Sequence, residues 1–180
     1  MPDSFQFKYL FTPIRIGPVT LRNRLMTTGH GTGYVDPNPA LGYPSHPGHH
    51  GERYAYYLAE RAKGGIGLVT FGETKIHLTT AYERPGTLAT AYDKEALPGF
   101  KLATEMIHQY GAKVFIQLAH AGAHNTGIIS RLPAWAPSAV PALGSVVRRE
   151  MPKVLEKEEI QELIDYYGYS AENAVAGGFD

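Results

Sequence analysis

The lengths of the connections between regular elements constrain this 180-residue chain more than any other feature. Apolar residues recur at helical spacing over 52–63, where Tyr54, Tyr57, Leu58, Arg61 and Ala62 share one stripe. Gly64-Gly65 follows at once, and Ile66 to Phe71 then reads as a buried strand. The pattern repeats over 97–110, with Leu102, Ala103, Met106, Ile107 and Tyr110 on one face, then Gly111, then a strand over 113–118. It repeats again over 156–176, with Ile160, Leu163, Ile164, Tyr167, Ala171, Ala174 and Val175 expected to face inward. Gly177-Gly178 ends that helix, and Phe179-Asp180 opens another strand. An earlier strand is expected over 24–28, preceded by a small hairpin over 14–21 that turns at Gly17-Pro18.

Each helix-to-strand connection is therefore a glycine or two, whereas the strand-to-helix connections 30–51, 72–96 and 119–155 are long. Alternating strands and helices imply an α/β fold with a parallel sheet. Long loops confined to the strand C-termini suit the active face of a (β/α)₈ TIM barrel. A doubly wound sheet also binds ligands at strand C-termini, and periodicity does not separate the two; the barrel is slightly preferred. A closed barrel takes about 250 residues. Residues 1–180 are accordingly expected to be the N-terminal half of one barrel domain, preceded by a short β-hairpin and cut within strand 4.

Composition narrows the function classes. Lys plus Arg and Asp plus Glu number 17 each, so bulk charge draws the chain to neither nucleic acid nor an anionic membrane. There is no cysteine, which removes disulfides and thiolate chemistry from this stretch. No apolar run reaches the length of a membrane span, and residues 1–10 lack the basic start and apolar core of a signal peptide, so a cytoplasmic location is expected.

The strand ends carry the candidate site residues. Gly29, His30 and Gly31 follow the first strand, and such glycines let a flat ligand approach the backbone. The spacing is not a dinucleotide fingerprint, and a plain loop is an equal reading. Gly72 and Glu73 follow the second strand, where a lone carboxylate more often caps a loop than moves a proton. Gln117 ends the third. Its primary amide, both donor and acceptor, suits an imide-like edge such as the pyrimidine part of a flavin, or else bonds neighbouring backbone. His120 reads as a structural histidine rather than a proton shuttle. His46, His49 and His50 cluster, but their spacing matches no common metal site, and no metal is expected. Arg148-Arg149 reads as surface, and Trp135 with Ala136-Pro137-Ser138 as an ordered loop.

Several segments together resemble one family. Leu10-Phe11-Thr12-Pro13-Ile14, Gly17 and Thr20-Leu21-Arg22-Asn23-Arg24 are similar to the opening of old yellow enzyme relatives. Tyr57 to Leu68 (YLAERAKGGIGL), Gln117 to Gly122 (QLAHAG), Ala136-Pro137-Ser138 and the run into Gly177-Gly178-Phe179-Asp180 follow in family order. The branch resembled is that of 2,4-dienoyl-CoA reductase and trimethylamine dehydrogenase. The resemblance implies a (β/α)₈ barrel holding FMN, reduced by NAD(P)H, with hydride passed to an activated alkene such as an enone or dienoyl thioester. It implies that the backbone at Gly29, His30, Gly31, Gly72 and Glu73 lines the flavin, and that Gln117 bonds its pyrimidine edge. The family's catalytic residues would lie beyond Asp180, so this chain alone is expected neither to hold FMN tightly nor to turn over. An iron-sulfur cluster is expected only where a longer chain follows. The chain departs from the family pattern at Gly31, Glu73 and Ala123, where relatives commonly carry a side chain near the reactive face of the flavin, a small residue and an arginine. Two rival readings stay open: an amine dehydrogenase or demethylase on the same barrel, and a non-catalytic half-barrel assembled with itself or a partner. The expected ligand is a small molecule.

Overall fold

The computed structural model describes residues 7–36, 48–79, 89–142 and 150–180. The hairpin forms as expected: β1 (Ile14–Ile16) pairs antiparallel with β2 (Val19–Leu21), and Gly17 turns between them at φ 55°. The strand expected over 24–28 is reduced to one parallel bridge, Met26 to Leu68. The cause is local: the Thr70 N–H donates to the Thr27 hydroxyl at 3.0 Å, so a side chain occupies the next rung of the ladder. Arg22 and Asn23, just before it, tie the N-terminal end of the sheet together. The Arg22 guanidinium donates to the carbonyls of Ile66, Tyr110 and Ala62, and the Asn23 amide donates to the Gly65 carbonyl.

Helix α1 (Glu52–Lys63) matches its expected bounds and buries Tyr54, Ala55, Leu58, Ala59 and Ala62. Gly64 caps it, and Gly65 takes φ 98°, a conformation that favours glycine. Strand β3 (Leu68–Lys75) starts two residues later and ends four residues later than the sequence pattern indicates. Gly72 and Glu73 are consequently not in a loop but inside β3, at a register shift between Phe71 and Thr74. A two-residue strand, β4 (Ala89–Thr90), pairs parallel with the end of β3.

A short 3-10 turn capped by Asp93 leads into α2 (Leu97–His108), which buries Phe100, Ala103, Thr104 and Ile107. Strand β5 (Lys113–Ala119) pairs parallel with β3. The loop after β5 is partly built: a 3-10 turn at Gly122–His124, a short helix α3 (Gly127–Ser130), and β6 (Trp135–Ala136) pairing parallel with β7 (Lys153–Val154). Helix α4 (Lys157–Ala176) follows. The Asp180 N–H then reaches the Val114 carbonyl at 3.0 Å, so the chain begins a further rung beside β5.

Apart from the two-residue β4, which pairs with the end of β3, each parallel strand of this sheet lies beside the one before it: the Met26 bridge, β3, β5, then Asp180. A doubly wound sheet reverses its strand order at a switch point, whereas a barrel advances in sequence. The order here is the barrel's. The core between the sheet and helices α1 and α2 is aromatic. Phe71 meets Tyr54, Phe100, Phe179 and His50 edge-to-face at centroid separations of 4.8 to 5.4 Å.

Helix α4 departs from expectation. It packs through Ser170, Asn173 and Ala174, and the Asn173 amide donates to the Ala91 carbonyl at 2.9 Å. Ile160, Ile164, Tyr167, Ala171 and Val175 stay exposed, and of the expected inward set only Leu163 and Ala174 are shielded. The apolar stripe is present but turns away from the described sheet. An open apolar groove beside it runs along Phe115, Ile116, Leu118, Ala174, Val175 and Phe179.

Candidate flavin site

Three of the candidate segments converge at the C-terminal side of the sheet. A Cβ built on Gly29 would lie 2.1 Å from Gln117 Oε1 and 3.6 Å from the Gly72 Cα. A Cβ on Gly72 would lie 2.5 Å from the His30 carbonyl oxygen and 2.4 Å from the Tyr54 hydroxyl. Gly29, His30, Gly72 and Gln117 are therefore direct neighbours; at Gly72 a side chain would meet backbone, and at Gly29 it would displace the tip of Gln117. Gln117 is exposed on β5, so its carboxamide can offer a donor and an acceptor to a ligand lying over the glycines. Gly31 stands apart, exposed, with nothing within 4 Å of a Cβ built on it. Glu73 is half-buried in the bulge of β3.

The floor of this arrangement is held by Tyr54. Its hydroxyl accepts the Gly72 N–H at 2.8 Å, which satisfies a donor that the bulge removes from the ladder. Burial pushes the Tyr54 phenol up to about 12, so it stays protonated. His30 Nδ1 lies 3.0 Å from the Tyr57 hydroxyl and fixes the loop after the first bridge to α1. These contacts fit the planar, imide-bearing ring of a flavin: a flat backbone face flanked by one primary amide.

The histidines separate by role. His49 turns to Asp93, with Nε2 and Oδ2 3.4 Å apart. His50 stacks on Tyr54 at 3.9 Å, and burial lowers it to about 4. His46 and the Arg148-Arg149 pair lie outside the described residues. A grouping the sequence did not suggest is His49, Asp93 and Glu95, whose potential ligand atoms lie within 4.8 Å of one another. Asp93 and Glu95 are more than forty positions from His49, so no spacing motif marks it. Lys75, at the end of β3, was also missed; it is 6% exposed, and burial lowers its ammonium to about 8. No helix among the described residues is long and apolar enough to cross a membrane.

Comparison with known proteins agrees with the barrel order of the strands. The chain is 30% identical, over 97% of its length, to N,N-dimethylglycine/sarcosine dehydrogenase of Chromohalobacter salexigens, covering 24% of that protein. It is 33% identical, again over 97% of its length, to cinnamate reductase of Clostridium sporogenes, covering 25% of it. The old yellow enzyme homologue of Zymomonas mobilis superposes with a TM-score of 0.79 at 28% identity, over 95% of this chain and 46% of that one. The chain thus spans about a quarter to a half of the length of these relatives. Its fold is that of the old yellow enzyme barrel over that span. Residues 9–180 match the NADH:flavin oxidoreductase / NADH oxidase family, and the chain belongs to it.

Proposed function

We propose that residues 1–180 are the N-terminal part of an FMN-dependent (β/α)₈-barrel oxidoreductase that uses NAD(P)H to reduce an activated alkene. The observation that carries this reading is the meeting of Gly29, Gly72 and Gln117, where a Cβ on Gly72 would strike backbone and one on Gly29 would displace the Gln117 carboxamide. Bound FMN would supply the hydride chemistry; the protein orients it and tunes its electronics. In this reading the backbone at Gly29, His30, Gly72 and Glu73 lines the ring, and the Gln117 carboxamide pairs with its pyrimidine edge. Gly31 adds backbone but no side chain near the reactive face. The apolar groove beside β5 and the exposed stripe on α4 are the surfaces that a second half-barrel would bury. A cytoplasmic location belongs to the same reading.

A second reading keeps the site and changes the donor. The likeness to N,N-dimethylglycine/sarcosine dehydrogenase favours an N-methylated amine as the reductant. Anaerobic mixing of the intact flavoprotein with NADH, NADPH or a dimethylated amine separates the two. Bleaching by a nicotinamide, followed by reoxidation with an enone, supports the first reading. Bleaching by the amine alone supports the second, and a flavin-free assembly of half-barrels would refute both.

A further inference from the structure

Four polar side chains from three separate parts of the fold meet behind the candidate site. His77 is 3% exposed and Thr79 is fully buried, both just past β3. His120 immediately follows β5, three residues after Gln117. Glu162 lies on α4 with its side chain 46% exposed. Thr79 Oγ1 lies 2.8 Å from His77 Nδ1 and 3.0 Å from His120 Nε2. His77 Nε2 lies 3.1 Å from Glu162 Oε1. Trp135 stacks on the His77 ring at 4.9 Å, and Tyr166 meets it edge-on at 4.6 Å, which keeps water from its faces.

The hydrogens in this chain can be counted. The Thr79 N–H points at His77 Nδ1 at 3.3 Å, and the Gly122 N–H points at His120 Nδ1 at 3.3 Å. Both Nδ1 atoms are therefore acceptors, and each ring carries a proton on Nε2. His120 Nε2–H then donates to Thr79 Oγ1, the Thr79 hydroxyl donates to His77 Nδ1, and His77 Nε2–H donates to the Glu162 carboxylate. Every donor points the same way, from the mouth of β5 to solvent. Burial, the larger cause, keeps His120 neutral, its pKa lowered to about 4.

We infer that His120, Thr79, His77 and Glu162 form a proton relay between the C-terminal mouth of β5 and solvent at α4. A proton arriving at His120 Nδ1 breaks the long Gly122 N–H contact there and displaces the Nε2 proton to Thr79 Oγ1. The threonine hydroxyl proton moves to His77 Nδ1, which gives up the long Thr79 N–H contact, and the His77 Nε2 proton moves to Glu162, which releases it. One proton enters and one leaves, and the donors end reversed until hydroxyl rotation and tautomer exchange restore them. The reverse passage delivers a proton to the same mouth. Service to a flavin reaction rests on the function proposed above; the relay itself does not, and its test needs no flavin turnover.

That test is nuclear magnetic resonance of the intact protein carrying this chain, with ¹⁵N-labelled histidine, at neutral pH. The relay requires both His77 and His120 as Nε2–H tautomers. Glu162→Gln keeps the acceptor oxygen but cannot take up a proton. It should slow solvent exchange of the His120 Nε2 proton about tenfold or more, a modest share of what a positioned acid-base group contributes. Thr79→Val should abolish that coupling, and Thr79→Ser should restore it. An Nδ1–H tautomer on either ring, or a His120 exchange rate indifferent to Glu162→Gln, would overturn the relay and leave a static packing network.

Discussion

Replacing Gly72 with alanine places a methyl carbon 2.4 Å from the Tyr54 hydroxyl, 2.5 Å from the His30 carbonyl oxygen and 3.0 Å from the His30 nitrogen. Two of these three contacts are backbone, so side-chain rotation alone does not relieve them. Overpacking of this kind costs about 1–3 kcal/mol. Driving Tyr54 away also breaks its bond to the Gly72 N–H, and a buried donor left unpaired costs a further ~1–3 kcal/mol. The total of about 2–6 kcal/mol corresponds to a loss of roughly 4–24 °C in Tm for a domain of this size. Tyr54→Phe isolates the hydrogen-bond part. In the double variant the nearest clash is gone, so its destabilisation should fall short of the sum of the single changes by about 1 kcal/mol. Thermal unfolding followed by circular dichroism reads all three. A Gly72→Ala protein that melts with wild type, or strictly additive changes, would refute the bulge as the rigid floor of the site.

Gly29→Ala should behave differently. Its nearest contact is the tip of the exposed Gln117 side chain, so stability should change by less than about 0.5 kcal/mol. The displaced carboxamide should weaken flavin binding by the intact protein about tenfold, read by fluorescence titration. Stability should fall as pH drops from 6.5 toward 4, because the unfolded chain takes up protons that His50 and His120 refuse while folded. For buried His50 the slope approaches about 1.4 kcal/mol per pH unit, measurable by urea unfolding across that window. A second loss follows at lower pH. Burial raises Asp180, but bonds from Lys113, His108 and the Val114 N–H outweigh it and hold the carboxyl below its ordinary range. Its contribution is therefore present above the unfolded value and lost as pH falls through the folded one; Asp180→Asn should remove that lower transition. Arg22→Lys should cost about 1.5–3 kcal/mol in urea unfolding, because an ammonium cannot span the three carbonyls that the guanidinium fork reaches.

Repetition was what made the fold legible in sequence. Helical stripes ending in glycine set α1 to its residue and α2 and α4 to within two, because periodic burial and a left-handed stop are both local. Gln117, Gly29 and Gly72 could be singled out because each stands where an apolar run gives way to polar or glycine residues, and in a parallel sheet those C-terminal portions share one face. The remainder depended on contacts distant in sequence. The first strand failed because Thr27 offers its hydroxyl to the ladder, which no strand pattern encodes. Strand β3 outran its apolar run because the bulge at Gly72 lets it continue through Thr74 and Lys75, polar residues that are nonetheless buried. Strands β4, β6 and β7 have two residues each, too few for any period. Helix α4 showed its stripe clearly, yet its packing on the described sheet falls to Ser170, Asn173 and Ala174. The chain from His120 to Glu162 draws on residues scattered over more than eighty positions, and no spacing announces it.

The measurement that tests the central claim most directly is the flavin content of the intact protein purified from its source, by absorption spectrum and by identification of the released cofactor. The account predicts one non-covalent FMN per chain, lost or markedly weakened when Gln117 is replaced by leucine. A colourless protein, or a flavin whose retention is indifferent to Gln117, would contradict the site built from Gly29, Gly72 and Gln117.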